Sequence, residues 1–318
     1  MYNTELLEQS KRISDELGVT RSNFLKKVAE DPSLQPTAQM RRELANKFFI
    51  KHGGPKTELA KVEDLCIAAE DGYQIPVRRY YPATSNDQYM FMYIHGGGWM
   101  QGNIETHDYL CRKIAHILHA EVLSVDYRLA PEHIYPTHLN DVSAVYSWCV
   151  NNTGKEIIVS GDSAGGNLST ALCLNLLETN GKKPHALMLI YPPLSNDFDS
   201  QSFEIYKDIE ALTKIGTIDY TMQYAGKSSY DELKTVKDKF IFPLLADDFK
   251  AFPPTIIISA GCDVLLDASL ELAKRLKAAN VAVHHIVVDG AIHGFMSYGE
   301  DFDREVTDVL NSVKKIWA

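Results

Sequence analysis

The segment IIVSGDSAGG, residues 157–166, runs from apolar β-branched residues straight into a serine fenced by glycines. Ser163 lies in Gly161-Asp162-Ser163-Ala164-Gly165, the G-x-S-x-G spacing, between a strand-like run and the helical run NLSTALCLNLLE. A sharp strand-to-helix turn strains such a serine and presents its hydroxyl, and side chains two residues to either side would collide there, so glycine is required. Glycines at a strand-helix turn can also cradle a phosphate. That use wants G-x-G-x-x-G or G-x-x-x-x-G-K-[ST], and neither occurs. The pattern points to nucleophilic chemistry at Ser163.

A serine hydroxyl needs a base to take its proton and a third group to hold that base in the right tautomer. In strand-turn-helix sites of this kind the chain order is Ser, then Asp or Glu, then His. Four histidines follow Ser163: His185, His284, His285 and His293. His185 opens a strand too soon after the serine, and His284 and His285 lie inside one. His293, in DGAIHGF, falls just past a strand end beside Gly290 and Gly294 and is the candidate base. The acid should leave the sheet one strand earlier, where TIIISAGCDVLLD offers Asp263 and Asp267. Asp263 is favoured because Asp267 reads as the start of the next helix, where a carboxylate suits the unpaired first-turn amides.

Acyl transfer also builds a negative oxygen that needs donors already in place. MFMYIHGGGWM delivers His95, Gly96, Gly97, Gly98 and Trp99 directly after an apolar strand, the H-G-G-G arrangement of lipases and esterases. The amides of Gly97, Gly98 and Ala164 are the candidate oxyanion donors, and Trp99 is a candidate substrate contact. His107, His116 and His119 suggest a metal only weakly, since H-x-x-H lacks an accompanying carboxylate and reads as surface helix histidines. No metal or organic cofactor is expected.

These residues need a scaffold that brings strand ends together. Helical spacing occupies the first 50 or so residues: Leu6, Ile13 and Leu17, then Met40, Leu44 and Phe48. From residue 61 three strand-like runs follow, and after His95 strands alternate with helices near 106–119, 138–150, 165–179 and 267–279, ending in a terminal helix. Strands joined by crossover helices imply an α/β fold with a mostly parallel sheet covered on both faces. The stretch 194–246 separates two buried strands and is too long for a structureless loop. Ile205, Ile209, Leu212 and Ile215 follow helical spacing within it, so inserted helices over the sheet edge are expected.

The chain has 318 residues, 45% apolar, enough for one large core. A formal net charge of -10 without single-sign blocks argues against nucleic acid. The five cysteines, Cys66, Cys111, Cys149, Cys173 and Cys262, are scattered with no C-x-x-C pair, which fits reduced thiols and a cytoplasmic setting. The N-terminus lacks a signal-peptide pattern, and no run of 18 apolar residues occurs, so no integral membrane association is expected.

Taken together, His95-Gly96-Gly97-Gly98-Trp99, Tyr127-Arg128-Leu129-Ala130-Pro131-Glu132, Gly161 to Gly166, Asp263 with Asp267, and His293-Gly294-Phe295 resemble the hormone-sensitive-lipase-like esterases, the H-G-G-G branch of the α/β hydrolases, over about residues 60–318. PLLADDFKAFPP, residues 243–254, also resembles that family's lead into the acid-bearing strand. Val264 stands where many members carry proline. The resemblance implies an α/β-hydrolase fold with a helical cap: residues 1–50 and 194–246 as cap segments, 51–193 and 247–318 as the catalytic domain. It implies Ser163 as nucleophile, His293 as base, Asp263 as orienting acid, and a small, short-acyl ester as substrate. The alternatives are a small-amide hydrolase such as an arylformamidase, or a non-catalytic receptor on the same fold, as in plant gibberellin receptors, which have lost the histidine. One chain leaves oligomeric state open, a homodimer included.

Overall fold

The computed structural model describes residues 4–30 and 37–317. Parts of the expected terminal segments, residues 1–3, 31–36 and 318, lie outside the described residues. Two helices lead: α1 (Thr4–Glu30) and α2 (Ala38–His52). Thr37 caps α2, its hydroxyl accepting from the Met40 amide at 3.2 Å. Strands β1 (Lys61–Ala68), β2 (Gln74–Tyr81) and β3 (Tyr89–Ile94) follow, then α3 (Asp108–Leu118), β4 (Glu121–Val125), α4 (Thr137–Asn152), β5 (Glu156–Asp162), α5 (Ala164–Glu178) and β6 (Ala186–Ile190). After the insertion come β7 (Thr255–Cys262), α9 (Leu266–Ala278), β8 (Val283–Ile292) and α10 (Gly299–Trp317), the insertion itself holding α6 (Gln201–Ile205), α7 (Lys214–Ala225) and α8 (Tyr230–Thr235).

Among the described residues eight strands form one sheet in the order β1-β2-β4-β3-β5-β6-β7-β8. The pairs β1–β2 and β2–β4 are antiparallel and every other pair is parallel. Alternation along β3 shows why its apolar run is unbroken. Met90, Met92 and Ile94 face a core shared with α4, α5 and α9, while Phe91 and Tyr93 face one shared with α3, α10 and α1. Both faces are dry, so no position in the strand can be polar without a buried partner.

The insertion holds α6, α7 and α8, and they do not follow the apolar period read from the sequence. Ile205 ends the five-residue α6 and is 60% exposed, Ile215 in α7 is 81% exposed, and Ile209 and Leu212 lie between the two helices. Helices this short cannot stand on propensity. Caps and single anchors hold them instead. Thr213 Oγ1 accepts from the Gly216 amide, Ser229 Oγ accepts from the Glu232 amide, and Phe203, Thr217, Thr221, Tyr224 and Leu233 are the buried contacts. The insertion also touches α1: Ser14 Oγ accepts from the Glu210 amide at 3.0 Å, and Arg21 pairs with Glu210 at 2.8 Å. On its other side α1 is tied to the sheet, Ser10 Oγ donating to the Gly290 carbonyl at 2.7 Å. No helix among the described residues is long and apolar enough to cross a membrane.

Candidate active site

Ser163 stands between the last residue of β5 and the first of α5 at φ 51°, ψ -122°, a region costly for a residue with a Cβ. Its neighbours explain how the strain is held. The Ser163 amide donates to Ile190 O on β6 at 2.8 Å, and its carbonyl accepts from the Asn167 amide in the first turn of α5. A Cβ on Gly161 would lie 2.5 Å from the Gly165 carbonyl carbon, and one on Gly165 would overlap the Ile94 carbonyl oxygen. The elbow is closed by backbone on every side, so neither glycine has room for a side chain. Gly165→Ala should therefore cost about 4 kcal/mol in chemical denaturation. Gly166→Ala, whose nearest neighbour is the Pro192 side chain at 3.0 Å, should cost far less.

His293 follows β8 directly, and Asp263 follows β7 directly. His293 Nε2 lies 2.9 Å from Ser163 Oγ, and His293 Nδ1 lies 2.7 Å from Asp263 Oδ2. All three side chains are nearly out of solvent. The other Asp263 oxygen accepts from the Leu265 amide at 3.0 Å, which turns Oδ2 toward the imidazole. Asp267 is elsewhere. It sits in the first turn of α9, where Oδ2 accepts from the Ser202 amide at 2.8 Å, fastening α6 of the insertion to α9. A hydroxyl, an imidazole and a buried carboxylate in one row can pass a proton from oxygen to nitrogen while the carboxylate fixes the ring and stabilises the resulting imidazolium.

The glycine loop after β3 is anchored by a residue to which the sequence reading gave no role. Asp162, the second residue of the G-x-S-x-G pattern, is buried, and its Oδ1 accepts from the Gly96 amide at 2.8 Å and from Tyr93 Oη at 2.6 Å. His107 Nε2 lies 3.3 Å from the same oxygen. Burial alone would raise the Asp162 carboxyl, but His107, Tyr93 and the Gly96 amide outweigh it and hold the group below its ordinary value. A charged residue at the end of a dry strand must be paired, and that was the available sign. The same network corrects the reading of His107 as a surface histidine: it is 1% exposed. His95 is buried with Nδ1 2.8 Å from Gly96 O and its ring stacked on Tyr127, and burial first, then His107, push its pKa down to about 3, so it is neutral.

With its amide engaged by Asp162, Gly96 is tied down, whereas no group among the described residues accepts from the Gly97 or Gly98 amides. Gly97 has φ 112° and Gly98 φ 60°, and a Cβ on Gly98 would lie 2.6 Å from Tyr220 Cγ of α7. The insertion thus rests on the glycine loop itself. Ala164, the other expected donor, opens α5, where the helix N-terminus favours negative charge. Trp99 is 2% exposed and stacked at 4.3 Å on Tyr224, with an edge on a cavity of about 10 Å³ that Phe198, Phe203 and Leu265 also line. The YRLAPE stretch is a brace: Tyr127 Oη donates to His95 O at 2.9 Å, and Arg128 forks onto Asp141 of α4.

A family model described as the alpha/beta hydrolase fold matches residues 91–297. The carboxylic ester hydrolase LipN of Mycobacterium tuberculosis is 34% identical over 255 residues, 77% of this chain and 66% of that protein's length. An arylesterase of Saccharolobus solfataricus is 31% identical over 280 residues, 86% of this chain and 89% of that one. A solved ester hydrolase from the metagenome of Lake Arreo superposes with a TM-score of 0.81 at 29% identity, covering 93% of this chain and 96% of that one. By sequence and by fold, the chain belongs to the α/β-hydrolase fold family, in its hormone-sensitive-lipase-like branch of carboxylesterases.

Proposed function

We propose that this chain hydrolyses small carboxylic esters with short acyl groups through a covalent acyl-serine. Ser163 Oγ attacks the ester carbonyl while His293 Nε2 takes its proton. The imidazolium, held at Nδ1 by Asp263, then protonates the departing alkoxide. Water repeats the sequence against the acyl-enzyme, with His293 again as base. The amides of Gly97, Gly98 and Ala164 receive the tetrahedral oxyanion in both halves. The observation that carries this reading is the unbroken row Asp263–His293–Ser163 at 2.7 and 2.9 Å beside a strained, backbone-locked serine. The relatives, named as a carboxylic ester hydrolase and an arylesterase, support an ester as the bond cleaved.

The described parts of residues 1–50, together with 194–246, make one cap in this reading, joined through the Glu210 contacts and closed on the loop by Tyr220 over Gly98. The short-acyl preference rests on the resemblance to the hormone-sensitive-lipase-like esterases. A series of p-nitrophenyl esters from two to twelve acyl carbons tests it. The largest kcat/KM should fall at the short end, and a maximum at ten carbons or beyond would overturn the preference. A formyl-anilide assayed beside the acetyl ester separates ester from small-amide specificity.

A further inference from the structure

At the end of the sheet opposite Ser163 lies a cavity that the proposed chemistry does not use. Its volume is about 280 Å³, and it opens where the parallel strands begin: Tyr89 is the first residue of β3, Ala120 and His185 immediately precede β4 and β6, and Ile158 lies near the start of β5. Ile158 is five residues from Ser163, about 16 Å along an extended strand. This volume sits just below the range of about 300–1,000 Å³ usual for small-molecule sites, so its occupant must be small.

The lining specifies the occupant further. Phe91 and Trp317 stand with ring centroids 5.4 Å apart, and Tyr89 and His185 with centroids 5.0 Å apart, so the lining is rich in aromatic rings. The charged group at the edge is Lys314 of α10, and among the described residues no carboxylate pairs with it. His119 lines the same edge. Its Nδ1 is 3.0 Å from Thr84 Oγ1, which leaves Nε2 for another partner. Burial first, and then the charge of Lys314, lower its pKa. An aromatic lining with one unneutralised ammonium suits a flat ring bearing a single negative charge. A phosphate dianion would want more cations than this edge supplies.

We propose that this cavity is a second ligand site, separate from the proposed active site, for a small aromatic carboxylate whose ring lies among Phe91, Tyr89 and Trp317 and whose carboxylate pairs with Lys314. The probe is 2-naphthoate, titrated calorimetrically into the full chain with tryptophan fluorescence as second readout. One equivalent should bind and quench emission, while the uncharged 2-naphthalenemethanol should bind about tenfold more weakly. Lys314→Ala, an exposed change far from Ser163, should weaken naphthoate about tenfold and leave p-nitrophenyl acetate turnover unchanged. Ala120→Phe should fill the cavity and abolish binding, and retained turnover in that variant reports an intact fold. Should Ala120→Phe not fold, the Lys314→Ala comparison decides alone. The site is refuted by absence of binding up to about 5 mM, by equal affinity in Lys314→Ala, or by naphthoate competing with p-nitrophenyl acetate at its own binding constant.

Discussion

Ser163→Ala is expected to lower kcat for p-nitrophenyl acetate by about 10⁶, the scale set when the nucleophile of a triad is removed. The reasoning is chemical rather than structural. Without Oγ there is no acyl acceptor, and His293 is left beside a methyl group, so only water attack aided by the glycine-loop amides remains, worth roughly 10³–10⁴ over solution. The fold should survive, because the elbow is held by the Ser163 amide on Ile190 O and by glycine backbone, neither of which involves the hydroxyl. Circular dichroism checks that point. A fluorophosphonate should label the native chain and not the variant. Turnover persisting in Ser163→Ala would remove the serine from the mechanism, and labelling that persists would place the reactive hydroxyl elsewhere.

The residues that meet at this site were legible because each stands where local rules are strict. Gly161 and Gly165 are demanded by backbone contact, Asp263 directly follows a buried strand whose end an apolar run marks, and His293 is singled out by its glycine neighbours and by the place of the other downstream histidines in strands. The parallel sheet was legible for the same reason, since strands dry on both faces read as continuous apolar runs. What local rules do not describe is partnership at a distance. Asp162 and His107 meet only because β5 and the start of α3 converge, so His107 read as a surface residue and Asp162 received no role. The insertion failed differently. Helices of five, twelve and six residues dock through caps and single anchors such as Tyr224, so the spacing from Ile205 to Ile215 marked no buried face. Strand β8 also continues four residues past the apolar run, to Ile292, beyond a register shift opposite Ala260 and Cys262 that no apolar pattern records.

Asp263→Asn should lower kcat by about 10⁴ while leaving the chain folded. A carboxylate at Oδ2 accepts from Nδ1–H and so leaves Nε2 bare to accept from Ser163. An amide placed there is free to present its NH₂ to Nδ1 instead, which puts the ring proton on Nε2, facing the serine, where it blocks proton abstraction. The Leu265 amide on Oδ1 makes this outcome firmer, because it favours oxygen at that position and so turns the amide nitrogen toward His293. Asp267→Asn offers the contrast. Asp267 meets Ser202 and the first turn of α9, not the imidazole, so its loss should cost about 1 kcal/mol of stability through the helix end. Its kcat should stay within about threefold of the native value, since no transition-state contact is removed. If instead Asp267→Asn carried the large kinetic loss and Asp263→Asn the small one, the orienting acid would be Asp267, and the 2.7 Å contact at His293 would be a resting geometry that the reaction abandons.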